Sequence, residues 1–441
     1  MKSSLRSNLL TALAFALVFA YVVYAVPFSE IDFSILSRGY FFILADNMLA
    51  GHLYLESPEN TYDLSLFDHH WYLYWGPAPS LVIAVLRPIF LWLLNEHIFS
   101  LVLGLGSVLV WYRILGRLKE KGWVKYTDYE RFLLVSFLGL GTLLYHATVQ
   151  ASVWFQAHVF VFFFFSLALG FALNSKKARN VWLSGICFAA SILTRQSMVL
   201  LAPFLFLIVL IDLSRKPRDR KQQARSVLSF LGLMCAAFFS VFFYNKLRFG
   251  AWLQFGHDYQ AQYAQYAERM ARYGRISFAY LKTNVRVYLL DPVQLGLFPL
   301  RIHYNTAGNA LWSYQHTVII PCLVFIQSIT VWARSKHRFN FKKKMKQLLD
   351  KPRSLLLIIC AMGWISYFAF LLSLYSTGEK TFGGRYLVDI LPLEFMIFVL
   401  TLDQLRSLPR VYRLGFVTML TSILVHQLVH WNLIEWSLHI Y

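Results

Sequence analysis

An all-α, polytopic membrane protein is the fold class that this sequence predicts, and three observations carry the prediction. Of its 441 residues, 58% are hydrophobic, 17% aromatic and only 15% charged, whereas soluble domains carry roughly a quarter charged residues. The apolar residues fall in runs of roughly 16 to 24, the length of helix that crosses a ~30 Å hydrocarbon core. Nowhere does the sequence show the ten-residue alternation of a transmembrane β-barrel. The basic residues give a net charge of +20, but they gather in short loops between apolar runs, most densely at 215–225 and 334–353, where the positive-inside rule places them. Nucleic acid is therefore not needed as a partner, and anionic lipid headgroups are a natural one.

In chain order the predicted spans are 9–28, 78–94, 98–115, 132–149, 155–173, 181–195, 198–213, 226–244, 317–333, 355–375, 386–402 and 414–434, a bundle of roughly 11 to 13 helices. The first run follows Lys2 and Arg6 and is longer than a signal-peptide core, so an uncleaved first span is expected. The Lys- and Arg-rich loops 214–225, 334–353 and 403–413 belong inside, as do 116–131 and 174–180. That arrangement leaves 29–77, 245–316 and 376–385 outside. Two spans within 78–115 conflict with it, because the segment must cross an odd number of times. Either one of the two is re-entrant or 181–213 is not a simple hairpin. Cys187, Cys235, Cys322 and Cys360 lie in apolar segments without ligand-like spacing and read as small packing residues. With no internal repeat and no soluble stretch, residues 1–441 read as a single transmembrane domain.

The first outer loop, 29–77, is the chain's most unusual feature. Glu30, Asp32, Asp46, Glu56, Glu59, Asp63 and Asp68 face one basic residue, Arg38, in a protein that is otherwise strongly basic. A transferase acting on a hydroxyl or amine needs a general base within hydrogen-bond reach of its nucleophile. A carboxylate beside the bilayer is partly desolvated, which raises its basicity. Asp32, Asp46, Asp63 and Asp68 are the candidates, each weighed against a solvated loop acid or a helix cap. Asp68, His69 and His70 are adjacent, and adjacent side chains do not point to a common metal centre on regular backbone, so no metal site is assigned and divalent-ion dependence stays open. In the second outer loop, 245–316, Tyr259, Tyr263, Tyr266, Met270 and Tyr273 recur at helical spacing near Arg269, Arg272 and Arg275. This predicts amphipathic helices at the membrane interface, where tyrosine rings sit at headgroup level.

Cations stranded in or beside apolar runs form a second group. Arg195 lies between two short apolar runs, and Arg248, Lys380 and Arg385 lie at outer membrane edges. An unpaired charge there is costly. A membrane-anchored phosphate is a fitting partner, with snorkelling as the plain alternative. Glu379 is placed to pair with either neighbouring cation. His146, His158 and His257 are candidate cavity residues, with core packing as the alternative for the first two.

These segments resemble a known family. LADNMLAGHLYL, then YDL and WYLYWGPAPSL entering the next span, are similar to the first loop of GT-C-type integral membrane glycosyltransferases, in particular bacterial relatives of the protein-O-mannosyltransferase and lipid A aminoarabinose-transferase group. ILTRQSMVLLAPFLFL, YNKLRFGAWLQFGHDYQ and FGGRYLVDILPL follow in the same order. The resemblance implies a GT-C-like bundle in the bacterial inner membrane that takes a sugar from a polyprenyl-phosphate donor. Transfer would occur outside with inversion, a first-loop acid acting as base and basic residues holding the lipid phosphate. It implies Asp32, Asp46 and Asp63 as the acidic set, and Arg195, Arg248, Lys380 and Arg385 as phosphate contacts. The family's Asp-Glu pair after the first span is missing here, where only Glu30 and Asp32 stand. Two other classes compete. A transporter or flippase predicts paired repeats with broken helices, and a polymerase or ligase of polyprenyl-linked glycans predicts its large loops late in the chain. A non-catalytic membrane scaffold predicts that Asp46→Asn or Asp63→Asn leaves glycans unchanged.

Overall fold

The computed structural model describes residues 39–90, 94–175, 177–213, 220–261, 264–297, 300–305, 307–334, 351–378 and 382–438. The predicted first span with Glu30 and Asp32, most of the loop 334–353, and Glu379 and Lys380 lie outside the described residues. The helices are α1 (Tyr40–Leu49), α2 (Ala78–Phe90), α3 (Glu96–Glu120), α4 (Asp128–Leu140), α5 (Leu143–Gln150), α6 (Val153–Ala172), α7 (Ala178–Ile192), α8 (Ala202–Leu213), α9 (Arg220–Phe249), α10 (Ala264–Tyr273), α11 (Leu281–Val285), α12 (Leu311–Tyr314), α13 (Ile319–Arg334), α14 (Pro352–Leu372), α15 (Leu391–Gln404) and α16 (Pro409–Leu438).

Among the described residues six helices are long and apolar enough to cross a membrane, and a bent pair makes a seventh. The chain is thus a multi-pass membrane protein. The predicted span 132–149 is that pair: α4 and α5 meet at 51° across Gly141 and Thr142. Thr142 stops one helix and starts the next, since its hydroxyl donates to Leu138 O at 2.7 Å and accepts from Leu144 N. The segment 78–115 also departs from two full spans. α2 has 13 residues, about 20 Å at the helical rise and short of a ~30 Å core, whereas α3 has 25. The expected span 386–402 begins as one turn of 3-10 helix, Arg385–Asp389, before α15. Pro392 sits in the first turn of α15, where a missing N–H costs nothing. Sixteen of the 20 residues of α6 are buried, so its polar side chains face protein rather than lipid.

Two short antiparallel hairpins stand in the loops, which helical periodicity did not indicate. In the first, β1 (Leu64–Phe67) pairs with β2 (His70–Leu73), Leu64 opposite Leu73. The two residues between them, Asp68 and His69, have φ 48° and 60°, the left-handed pair that a tight hairpin turn requires. In the second outer loop, β3 (Gln294–Leu297) pairs with β4 (Leu300–His303). The tyrosine rhythm there is only partly helical. Tyr259 closes a 3-10 turn at His257–Tyr259, and the amphipathic helix starts at Ala264.

Helices that leave one end of the bundle return from the other. The starts of α6 and α15 and the ends of α7 and α14 converge at one end, together with the first hairpin. The starts of α4, α14 and α16 and the ends of α3, α8 and α15 meet at the opposite end.

Candidate functional site

The site is built where the first loop meets α6. Asp63 directly precedes β1 with φ 64°, a conformation that costs a residue with a Cβ free energy and that tends to persist where surrounding structure enforces it. Here the enforcing contacts are clear. Asp63 N donates to Ala261 O at 2.8 Å, and Ala261 N donates to Leu64 O at 2.8 Å, so a strip of the second outer loop is locked onto the first. The carboxylate is thereby fixed. Its Oδ2 accepts from Trp154 Nε1 at 2.7 Å and its Oδ1 from Gln260 Nε2 at 2.8 Å. Tyr74 stands in the field of Asp63 and Arg385. Burial, then the Asp63 charge, pushes its phenol well above the usual value, so it stays a hydrogen-bond donor. His257 meets Tyr74 at 5.0 Å between ring centroids. Desolvation, with Arg275 beside it, pushes that imidazole well below its usual value.

A second carboxylate, Asp389, is fully buried at the end of the 3-10 turn before α15. Its Oδ2 accepts from Arg195 Nε at 2.8 Å and from Tyr367 OH at 2.8 Å, and its Oδ1 meets His158 Nδ1 at 2.7 Å. Ser197 Oγ joins Tyr367 OH at 2.8 Å. Arg195 is held there by the WGPAP turn: Gly76 N and Ala78 N donate to Thr194 O and Leu193 O. A Cβ on Gly76 would lie 1.8 Å from Leu193 O, so only glycine permits the approach.

Arg385 stands over the aromatic rings beside these carboxylates. Its Cζ is 6.0 Å from the Trp154 ring centroid, 5.9 Å from Phe155 and 5.6 Å from Tyr386. Among the described residues no carboxylate lies within ion-pair distance of Arg385, and its buried Nε has no hydrogen-bond partner. The preceding Gly384 is again a close approach, because a Cβ there would meet Tyr288 at 2.4 Å. Arg275, over Tyr375 at 5.3 Å, is a further cation on this rim. Trp154 and His158, one turn apart on α6, therefore hold one carboxylate each, with the Arg385 guanidinium beside them.

The structure brings Asp63, Arg195, Arg385, His158 and His257 together and places other candidates elsewhere. Asp46 is exposed on α1 and ion-pairs with Arg87 at 3.0 Å. Asp68 and His69 form the hairpin turn, and among the described residues no three His, Cys, Asp or Glu side chains are grouped to hold a metal. Arg248 is buried at 2% exposure. It donates to Leu73 O and to Asn245 Oδ1, between the rings of Tyr244 and Phe249, so it clips β2 to the end of α9. His146 packs against Phe155 and His430. Asp32, Glu379 and Lys380 lie outside the described residues.

Sequence reasoning passed over Asp389, Trp154, Gln260, Tyr74 and Tyr386. For Asp389 a signal was present, since it is an acid stranded in LVDILPL. The rule that singled out Arg195 applies to it equally and would have paired the two. Trp154, Gln260 and the tyrosines carry no such mark, because their roles depend on loops meeting far from one another in the chain.

No protein-family model and no curated protein sequence matches the chain. Among solved structures, the oligosaccharyltransferase of Archaeoglobus fulgidus in complex with zinc and sulfate aligns with a TM-score of 0.51 at 12% identity, over 94% of this chain and 53% of that one. The oligosaccharyltransferase AglB of the same organism, with an inhibitory peptide and a dolichol-phosphate, gives 0.49 at 12% identity, over 96% and 56%. ArnT of Cupriavidus metallidurans bound to undecaprenyl phosphate gives 0.45 at 14%, over 92% and 62%. The chain spans about half the length of the archaeal oligosaccharyltransferase. The first of these alignments identifies the bundle as a GT-C membrane fold.

Proposed function

We propose that the chain is an inverting membrane glycosyltransferase that moves a sugar from a polyprenyl-phosphate-linked donor to a lipid, glycan or protein acceptor at the outer face of a bacterial inner membrane. Asp63 acts as base, and Arg385, with Arg195 behind it, holds the lipid phosphate. The observation that carries the reading is the arrangement around Trp154: a fixed, half-buried carboxylate on its indole N–H and, over its ring, a guanidinium with no carboxylate partner among the described residues. The acceptor hydroxyl attacks the anomeric carbon as its proton passes to Asp63. The bond from that carbon to the phosphate oxygen breaks on the opposite side. The electron pair leaves with the phosphate, whose growing charge a preplaced guanidinium stabilises. Two neighbours by fold were solved with a dolichol-phosphate and an undecaprenyl phosphate, and a phosphate of this kind suits the cations here. Lys380 belongs to the same proposal from sequence alone.

Purified protein in lipid, given radiolabelled polyprenyl-phosphate sugars and a membrane extract as acceptor, tests the reading. Transfer that is lost in Asp63→Asn and kept in Asp32→Asn supports it. Transfer lost only in Asp32→Asn moves the base to Asp32. A wild-type protein that binds no donor overturns the transferase and favours a transporter or scaffold.

A further inference from the structure

We propose that His158 is a third contact to the donor phosphate, taking up a proton from the medium as the phosphate binds. The inference rests on the donor reading above. The His158 ring is 1% exposed. Its Nδ1 faces the Asp389 carboxylate at 2.7 Å and so carries a hydrogen. The opposite nitrogen, Nε2, is buried without a hydrogen-bond partner among the described residues, and a buried polar atom left unsatisfied calls for an explanation. Its surroundings supply one. The ring lies 5.5 Å from that of Tyr386, and the same Tyr386 ring lies under the guanidiniums of Arg195 at 5.0 Å and Arg385 at 5.6 Å. The ring that carries the orphan nitrogen therefore packs against the residue set that would hold the phosphate.

The charges around it are few. The 3-10 turn contributes Arg385, Tyr386 and Asp389, the end of α7 contributes Arg195, and α14 contributes Tyr367 through Asp389. From α5, His146 meets Phe155 of α6 and turns otherwise to Phe382 and His430. From α3, the Glu96 carbonyl takes Gln156 and Arg117 takes the Gly170 carbonyl at the other end of α6. Asp389 supplies one negative charge, shared between Arg195 and His158. With a neutral imidazole the trio is electrically balanced. With an imidazolium the trio carries one positive charge, and a bound phosphodiester is shared between it and Arg385. Nε2–H then donates to a phosphoryl oxygen. One proton enters from the medium on binding and returns when the lipid phosphate leaves, and no bond to carbon or phosphorus changes in this step.

The test is calorimetric titration of the full chain in nanodiscs with a short-chain polyprenyl phosphodiester sugar, whose phosphate does not titrate in the range used. It is run from about pH 5.5 to about pH 8.5 in two buffers of different ionisation enthalpy. Wild type is expected to bind about tenfold more tightly at the acid end, with buffer-dependent heat reporting proton uptake. His158→Asn keeps an N–H for Asp389 and is expected to show neither effect. His158→Gln, which restores an N–H near Nε2, is expected to bind more tightly than His158→Asn, again without pH dependence. Wild-type binding that is independent of pH and buffer overturns the inference, whether or not the variants fold, and the donor reading survives if Arg385→Met still abolishes that binding. A pH slope retained in His158→Asn overturns it too. No binding by wild type at any pH removes the inference together with the donor reading.

Discussion

The two ends of the bundle handle charge in opposite ways. At the far end, the acids close on basic neighbours, with Arg117 on the Gly170 carbonyl as an exception. Asp403 takes Arg353 at 3.1 Å and Arg406 at 2.9 Å, Arg406 also takes Glu130 at 2.8 Å, and Tyr412 donates to Glu130. Asp128 takes Lys119 and Arg131, and the buried Asp212 takes Lys121. At the site end, Asp389 is satisfied by Arg195, but among the described residues Arg385 and Arg275 have no carboxylate within ion-pair distance. A network whose charges cancel has no need of a ligand, whereas buried or half-buried cations without counter-charge are costly until an anion arrives. The difference separates structural electrostatics from functional electrostatics within a single chain.

The comparison breaks most decisively at Asp63. Asp63→Asn keeps an acceptor for Trp154 or Gln260 while removing the base, so turnover is expected to fall by about 10²–10⁴-fold, the usual contribution of general base catalysis. Donor affinity should change little, which single-turnover rates and binding measured side by side will show. Arg385→Met comes next. It removes a cation that no acid among the described residues balances, so donor affinity should weaken by at least about tenfold, the worth of one charge-assisted contact. The thermal midpoint should hold or rise. If Arg385→Met instead unfolds the protein and leaves binding intact, the two ends are electrostatically alike and the distinction fails.

Asp403→Asn is the mirror experiment. Asp403 is 5% exposed, and its loss takes the carboxylate partner from Arg353 and one of two from Arg406. Removing one partner of a buried pair costs about 3–5 kcal/mol. Here the lower part of that range is expected, since both arginines keep solvent contact and Arg406 keeps Glu130. Thermal unfolding should move down and donor affinity should stay. A loss of donor affinity at unchanged stability would show that the far network is coupled to the site.

How much of this was legible in the sequence follows from the range of each signal. Hydrophobic runs act locally, so the membrane bundle was readable, and a stranded charge such as Arg195 declares itself within its own segment. Bends, short helices and hairpins were not readable, because an apolar run of 18 residues does not reveal that Thr142 will cap a new helix inside it. The carboxylate set was narrowed only by tertiary placement. Asp46 and Asp63 look equivalent along the chain, and the difference arises because Trp154 and Gln260, remote in sequence, converge on one of them.

That equivalence yields the smallest and sharpest prediction. Asp46 is exposed on α1, and among the described residues its carboxylate meets only Arg87, itself about one-third exposed at 35%, with the guanidinium over Phe42. Solvent screens such a pair, and exposed ion pairs contribute about 0–1 kcal/mol. Asp46→Asn should therefore leave turnover, donor affinity and the thermal midpoint near wild type. Asp63→Asn in the same loop should nearly abolish turnover. Both substitutions remove one negative charge from the same outer surface, so any general electrostatic effect on an anionic donor would appear in both. An effect confined to Asp63 isolates the part played by its fixed geometry against Trp154. A comparable loss in Asp46→Asn would instead assign the acidity of the whole loop, rather than one placed carboxylate, to the chemistry.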